Sequence, residues 1–137
     1  MFEFLSKYQE SGEFIFTVND NLKSVCNAPV DKSGVYIVST IINNNKKVIY
    51  IGRSGEKVGN VIKHRKNGLM GRLAIDGKQF NEPRKKAWPK QMIIEFFDTL
   101  FIQWWNTEND CPIETEKLLL GEFRKKYNHL PLWNNKN

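Results

Sequence analysis

The sequence predicts a single mixed α+β domain, and three features carry that prediction. Two stretches rich in β-branched and aromatic residues, 34–38 and 48–53, are typical of neighbouring antiparallel strands. A third strand-like stretch covers 100–107, and the clearest helix covers 112–127. A chain of 137 residues is long enough for one well-packed core and too short for two ordinary domains.

A polar segment between the first two strands completes a predicted β-hairpin. Residues 43–46 are Asn-Asn-Asn-Lys, and these side chains favour the turn conformations that reverse a chain. Because side chains alternate between the two faces of a strand, Tyr36 should share a face with Val38, and Tyr50 should share one with Val48. The two tyrosines are therefore able to point to one place on the domain.

The clearest helix has the expected signals at both of its ends. Pro112 suits the first helical turn, and Glu114 and Glu116 favour the N-terminal half of the helix. Basic residues at 124–126 favour its C-terminal end, and the apolar residues at 119, 120 and 123 form one face. The tail that follows has apolar residues and is expected to pack back on the domain.

The other segments are assigned from weaker patterns. Within the first 30 residues we expect either a short helix followed by an edge strand over 14–18, or an extension packed on the core, and then a helical turn over 22–25. Further along, we expect an exposed loop over 54–68, with or without a helical turn, and a short helix over 69–75. A basic segment covers 78–90, and residues 92–97 fit a strand or a helix. The first 30 residues look like scaffold, since they carry no catalytic signal.

The charge balance favours a polyanionic partner. The formal net charge is +6, and basic residues concentrate between Lys57 and Lys90. Aromatic side chains interrupt the later part of this segment, as in surfaces that track a phosphate backbone. The candidate nucleic-acid contacts are Lys63, Arg65, Lys66, Lys78, Arg84, Lys85 and Lys86. The alternative is a solvated loop pinned by Trp88.

Several chemistries are not indicated. Cys26 and Cys111 form no CxxC pair, and His64 and His129 are isolated, so a zinc site is not expected. No Ser-His-Asp set, carboxylate pair or phosphate-binding glycine loop stands out. The N-terminus lacks the features of a signal peptide and no apolar run reaches membrane-spanning length, so a cytoplasmic protein without membrane contact is expected.

Three short motifs follow one another along the chain. Gly34-Val35-Tyr36 is followed by Tyr50-Ile51-Gly52, and the helix then carries Glu116, an aliphatic pair and, further on, Asn128. In this order they resemble the motifs of the GIY-YIG nuclease superfamily. The resemblance covers about residues 33–128. Residues 1–137 would thus form one domain of this type, with residues 1–32 as an N-terminal extension.

The resemblance implies a fold, a reaction and a cofactor. The fold would be a small sandwich with a central three-stranded antiparallel sheet flanked by helices. The activity would be hydrolysis of phosphodiester bonds in DNA with one divalent metal ion, Mg²⁺ or Mn²⁺. Glu116 matches the metal ligand of the family, and a lone carboxylate suits a hard cation that keeps most of its waters.

The resemblance also assigns roles to the other matching residues. Tyr36 matches the tyrosine that acts as a general base toward water, and Tyr50 matches the partner that orients water or phosphate. Arg72 resembles the arginine that stabilises charge on the phosphoryl group in the transition state. Arg53 stands where relatives often carry Lys and can help only electrostatically. Asn128 resembles the asparagine that holds the site in shape.

Two departures from the family pattern leave alternatives open. Nineteen residues separate Gly52 from Arg72, a longer interval than is usual in the family, so Arg65 is the alternative arginine. One turn after the arginine the family often has His or Tyr, whereas this chain has Asp76. That role would shift to His64, or Asp76 would add a metal ligand.

The expected partner is DNA, with RNA not excluded. Since the chain has no obvious additional recognition domain, specificity would come from loops, a partner protein or a homodimer. Two rival hypotheses remain. The first is a catalytically silent nucleic-acid-binding module of the same fold, and the second is an enzyme directed at RNA.

Overall fold

A four-stranded antiparallel sheet lies at the centre of the computed structural model, which describes residues 1–136. The strands are β1 (Ser11–Phe16), β2 (Gly34–Ile42), β3 (Asn45–Ser54), β4 (Glu56–Val58), β5 (Val61–Lys63), β6 (Lys78–Gln79), β7 (Glu82–Pro83) and β8 (Leu100–Asn106). The central sheet has the order β1-β8-β2-β3, while β4–β5 and β6–β7 form separate two-stranded ribbons.

Helices follow or separate these strands. They are a 3₁₀ helix (Glu3–Lys7), α1 (Leu22–Val25), α2 (Gly68–Met70), which continues into a π-helical turn (Gly71–Ile75), α3 (Arg84–Glu95), α4 (Pro112–Tyr127) and α5 (Leu132–Lys136). The mixed α+β class is confirmed, and α4 has the predicted bounds.

The prediction of a three-stranded sheet is wrong, because β1 adds a fourth strand. β1 pairs with β8 along its whole length, from Ser11 opposite Trp105 to Phe16 opposite Leu100. Phe14 and Phe16 alternate with exposed residues and enter the core, as expected of an edge strand with one buried face. The residues before the three motifs therefore belong to the sheet itself.

The predicted hairpin is present and contains a β-bulge. Asn43 and Asn44 form the turn with φ values of 52° and 66°, which suits a two-residue connection. Tyr50 pairs with Val38 but Val48 pairs with Ser39, so one extra residue lies between them. As a result Val48 packs on the opposite side of the sheet from Tyr50, and the prediction that they share a face is wrong.

Two polar and basic segments contain regular secondary structure, including the one predicted as an exposed loop. The segment 54–68 contains the β4–β5 hairpin, and the basic segment 78–90 contains β6, β7 and the first half of α3. The helix α3 extends through Pro89 because Ala87, Trp88 and Met92 are buried along one side. Residues 92–97, which fitted a strand or a helix, include the end of α3.

Helices cover both faces of the sheet. On one face Tyr36, Tyr50 and Trp104 pack with residues of α1, α2, α3 and α5, including the fully buried Trp133 of the tail. On the other face Ile37 and Ile51 pack with the 3₁₀ helix and α4. Because β3 is an edge strand, groups from both helical layers can meet alongside it.

Gly34→Ala is expected to destabilise the fold by about 3 kcal/mol, since overpacking costs of this order arise where the neighbour cannot move. A Cβ at position 34 would lie 1.8 Å from the Trp105 carbonyl oxygen, which belongs to the paired strand β8. Gly121→Ala is the control, because a Cβ there meets nothing within 4 Å. In this helix it should stabilise by up to about 1 kcal/mol. Urea unfolding followed by tryptophan fluorescence measures both, and equal effects would contradict the prediction.

Candidate functional site

The two motif tyrosines lie together on one face of the hairpin. Their ring centroids are 6.1 Å apart with an angle of 35° between the ring planes. Tyr36 sits opposite Gly52, and a Cβ at position 52 would lie 2.5 Å from Cζ of Tyr36. The glycine of the second motif therefore makes room for the tyrosine of the first. Tyr36 is fully buried and Tyr50 is 5% exposed.

Arg84 lies directly beneath this tyrosine pair. Its Nη2 donates to the Tyr36 hydroxyl at 2.9 Å, its Nε donates to Oε1 of Gln79 at 3.1 Å, and its Nη1 donates to the carbonyl of Arg72. Its guanidinium carbon is 5.4 Å from the ring centroid of Tyr36 and 5.8 Å from that of Tyr50. At 1% exposure Arg84 cannot reach a nucleic acid, so its assignment to the contact surface is corrected.

Arg72 faces the tyrosines from the π turn, a backbone form that recurs at functional sites. Burial disfavours its charge, but interaction and hydrogen bonding with Tyr36 and Tyr50 raise the pKa of Arg72 above its ordinary value. Arg72 is half-buried and also lines the groove described below. It therefore connects the buried tyrosines with the surface.

The pKa of Tyr50 is affected by four neighbouring groups, which are Tyr36, Arg72, Arg84 and Glu116. Burial raises the pKa of the Tyr50 hydroxyl, and the neighbouring Tyr36 and Glu116 raise it further. The positive charges of Arg84 and Arg72 act in the opposite direction. Tyr50 thus remains protonated at neutral pH, in a state that donates a hydrogen bond and does not accept a proton.

Glu116 projects from α4 toward the edge of the sheet. Burial raises the pKa of its carboxyl group, while Arg53 and Arg72 lower it. Within residues 1–136, no hydrogen bond or ion pair involves this half-buried carboxylate. An oxygen donor of this kind fits one hard divalent cation that takes its other ligands from water and substrate. The described residues contain no group of three or more His, Cys, Asp or Glu side chains that could hold a metal ion.

A basic groove of about 400 Å³ opens beside these residues. It is lined by the side of β3, the β4–β5 hairpin, the π turn and the first turn of α4. Its charged and histidine side chains are Arg53, Glu56, Lys63, His64, Arg65 and Arg72. One nitrogen each of Arg53, Arg65 and Arg72 is buried without a hydrogen-bond partner in the described part of the chain. The guanidinium groups that line the groove match a ligand with several acceptor oxygens.

The two candidate arginines occupy different positions. Nη2 of Arg65 forms an ion pair with Oδ1 of Asp76 at 2.8 Å, at the rim of the groove. Arg72, in contrast, contacts the tyrosines. His64 is exposed, lines the groove, and has its Nδ1 3.0 Å from the carbonyl oxygen of Arg65. Asp76 therefore has a partner already, and Arg72 is the arginine that joins Tyr36, Tyr50 and Glu116.

A different asparagine from the predicted one holds the motif strand. Asn128 is exposed and ends α4 in the left-handed conformation with φ 65°, away from the tyrosines. Asn134 instead accepts a hydrogen bond from the Ile51 amide and donates one to the Ile51 carbonyl, both at 3.0 Å. In the sequence, Asn134 is only an asparagine next to a tryptophan. Its role is recognised from its contact with Ile51, which lies far away along the chain.

The predicted basic contacts do not form a single surface. Lys63, Lys66, Lys78, Lys85 and Lys86 are exposed, and of these Lys63 lines the groove. Lys85 and Lys86 line another depression together with Asp20 and Lys23. The groove at β3 therefore draws on Lys63 and on the arginines rather than on the whole basic segment.

Comparisons with protein-family models, curated proteins and solved structures found no match to this chain. Because the comparisons found no match, functional conclusions for this protein depend on its own geometry.

Within residues 1–136, no helix is both long enough and apolar enough to cross a membrane. Cys26 and Cys111 are free thiols, and burial raises the pKa of Cys26 to about 11.

Proposed function

We propose that the protein is a metal-dependent endonuclease of the GIY-YIG type that hydrolyses phosphodiester bonds in DNA. The observation that carries this proposal is the convergence of Tyr36, Tyr50, Arg72 and Glu116 at the edge of β3, beside a basic groove. These groups come from four separate segments of the chain. Packing alone gives no reason for a half-buried carboxylate without a hydrogen bond to face two arginines.

The substrate phosphate would lie in the groove. Arg53, Arg65 and Arg72 line the groove, and guanidinium groups bind phosphate oxygens through paired hydrogen bonds. The planar guanidinium of Arg72 suits the three equatorial oxygens, on which negative charge accumulates in the transition state. Arg72 is thus the residue that stabilises the transferring phosphoryl group.

The reaction adds water across a phosphodiester bond. The hydroxyl proton of Tyr36 first leaves to solvent. The oxygen of water then forms a bond to phosphorus, the bond from phosphorus to one sugar oxygen breaks, and the proton of water passes to the deprotonated Tyr36 oxygen. The donor from Arg84 stabilises negative charge on that oxygen. The leaving sugar oxygen takes a proton from solvent, while Tyr50 donates a hydrogen bond within the site.

Glu116 would hold a single Mg²⁺ or Mn²⁺ ion. When bound, such an ion polarises phosphoryl oxygens and lowers the pKa of its waters. The carboxylate suits this task because it has no competing hydrogen bond within residues 1–136.

The burial of Tyr36 suggests a second role for Arg72 in the proposed reaction. Arg72 interacts with both tyrosine hydroxyls and also lines the groove, whereas neither tyrosine is among the residues that line it. A phosphate that draws the Arg72 guanidinium toward itself would uncover the Tyr36 hydroxyl. Substrate binding would then expose the base at the same time, so that Tyr36 stays buried until a phosphate is bound.

Cleavage of supercoiled plasmid tests the proposal. The wild-type protein should relax and linearise the plasmid with Mg²⁺ or Mn²⁺ and fail in EDTA, and a matched RNA should be cleaved poorly. Tyr36→Phe preserves the ring and should remove activity. Cleavage that survives both Tyr36→Phe and Glu116→Ala would refute the assigned site.

The two candidate arginines are separated by single substitutions. Arg72→Ala should lower kcat by about 100-fold or more, since removal of one donor to a developing charge has effects of this size. Arg65→Ala should mainly raise KM, because its partner is Asp76 at the rim of the groove. Single-turnover cleavage and DNA binding by anisotropy measure the two effects, and the reverse pattern would make Arg65 the site arginine.

A second candidate is a catalytically silent module that binds nucleic acid. The complete burial of Tyr36 favours it, because a base needs access to water. The plasmid experiment separates the two candidates: DNA binding without cleavage under either metal ion identifies the silent module.

A further inference from the structure

The β4–β5 hairpin extends from the basic groove, and its side chains divide between two faces. Glu56 pairs with Lys63, and Val58 pairs with Val61 across the hairpin. Cross-strand partners and residues two apart share a face of a strand pair. Since Glu56 and Lys63 line the groove, the two valines continue the same face outward to the tip.

Two apolar side chains next to the turn of this hairpin are exposed. Val58 is 47% exposed and Val61 is 58% exposed, and the hairpin turns at Gly59 and Asn60. Gly59 has φ 61°, and a Cβ there would meet nothing within 4 Å, so the side-chain position at the turn is open to solvent. The two exposed valines belong to neither hydrophobic core cluster, and they lie where a ligand of the groove would continue.

We propose that residues 56–63 insert into the major groove of double-stranded DNA when the adjacent phosphate occupies the basic groove. The charge complementarity between the groove and a polyanion identifies the class of partner. The inference rests on the proposed function in one respect, since that function makes DNA the ligand.

The dimensions of the hairpin favour the major groove. Three residues per strand reach about 10 Å, and the major groove of B-DNA is roughly 8.5 Å deep and 12 Å wide, enough for a two-stranded ribbon. The valine methyl groups would contact thymine methyl groups, and the Asn60 amide at the turn can hydrogen-bond base edges. In A-form RNA the major groove is too narrow for such an element. The hairpin therefore distinguishes duplex DNA from duplex RNA.

The test measures binding of the whole chain to fluorescent nucleic acids by anisotropy, without a divalent ion. The double variant Val58→Ser/Val61→Ser should weaken binding to duplex DNA by about tenfold, the effect of losing the burial of two partly exposed valines. Its affinity for single-stranded DNA and duplex RNA should be unchanged. The dependence of affinity on salt should also be unchanged, because no phosphate contact is lost.

Two variants serve as comparisons. Ile15→Ser/Ile93→Ser removes two residues that are 53% and 65% exposed elsewhere on the surface, and it should bind duplex DNA like the wild type. Lys63→Ala should reduce the slope of log affinity against log salt by about 1, as expected for one phosphate contact. Thermal unfolding shows that each variant is folded.

Three outcomes would overturn the inference. They are wild-type affinity of the valine variant for duplex DNA, an equal loss on single-stranded DNA or duplex RNA, and failure of the wild-type protein to bind duplex DNA. The proposed function fails separately. If the protein binds duplex DNA through the valines but never cleaves it, the hairpin inference is supported and the nuclease proposal is refuted. If the valine variant cleaves and binds duplex DNA like the wild type, the nuclease proposal is supported and the hairpin inference is refuted.

Discussion

Replacing Glu116 by glutamine is expected to lower plasmid cleavage by at least about 1,000-fold, because in the proposed reaction a metal ion contributes several kcal/mol of transition-state stabilisation. Glutamine keeps the size of the side chain and removes the negative charge that would hold the cation. The same substitution should remove the thermal stabilisation that Mg²⁺ or Mn²⁺ gives the wild type. At a metal concentration ten times Kd that stabilisation is about 1.4 kcal/mol.

In the absence of metal, Glu116→Gln should instead increase the stability of the fold. Burial raises the folded-state pKa of Glu116 above its ordinary value, so the folded protein binds this proton more tightly than the unfolded chain does. Ionisation therefore destabilises the fold as the pH rises from the ordinary carboxyl range through the raised pKa. Below that range the carboxyl is protonated in both states and the penalty disappears. Glu116→Gln should thus be more stable than the wild type at pH 7 and equally stable at pH 3.

Glu114→Gln is the matched control for both measurements. Glu114 lies two residues earlier in the same helix, is exposed, and has Lys117 Nζ 3.6 Å from its Oε1. It should cleave plasmid and respond to metal like the wild type, since exposed ion pairs contribute little. A Glu116→Gln variant that retains metal-induced stabilisation would show that the cation binds elsewhere.

The strongest local patterns were sufficient to predict the elements that form the site. The hairpin, β8 and α4 were predicted because each has a clear period, turn or cap signal of its own. The tyrosine pair followed from the hairpin, and Glu116 from the helix. The bulge beside Tyr50 was not predicted, since the extra residue of β3, Ile49 between Val48 and Tyr50, is visible only in the strand pairing.

Other parts of the site depend on contacts between distant segments. The basic charges and Pro89 hide the helical pattern of α3, which forms because Trp88 and Met92 have a core to enter. Arg84 has the same local appearance as Lys85, and only its contact with Tyr36, 48 residues earlier, separates their roles. Asn134 likewise acquires its role from the backbone of Ile51, 83 residues away. Sequence patterns describe neighbours along the chain, and these pairs are neighbours only after folding.

Arg84→Met is expected to destabilise the protein by about 2–3 kcal/mol, because it leaves buried acceptors without their donor. Methionine has a similar length but no N–H group, so the Tyr36 hydroxyl, Oε1 of Gln79 and the Arg72 carbonyl each lose a hydrogen bond. Relief from burying a guanidinium offsets part of this loss. The cost of losing three hydrogen bonds is larger than this relief, since the buried charge is already stabilised by the rings of Tyr36, Tyr50 and Trp88.

The same substitution should alter the ionisation of Tyr50. Among the groups that act on Tyr50, the positive charge of Arg84 lowers the pKa against the raising effects of burial and of Tyr36. Its removal should raise the pKa of Tyr50 further, measured from the pH dependence of the Tyr50 ring NMR signal, because in bulk absorbance Tyr8, with its pKa raised to about 12 by burial and by Asp110, would overlap it. Lys85→Met is the control, since it removes the same charge from an exposed neighbour in α3 and should change neither stability nor titration. If Arg84→Met and Lys85→Met titrate alike, Arg84 acts only as packing, and the electrostatic part of the site must be assigned to Arg72 alone.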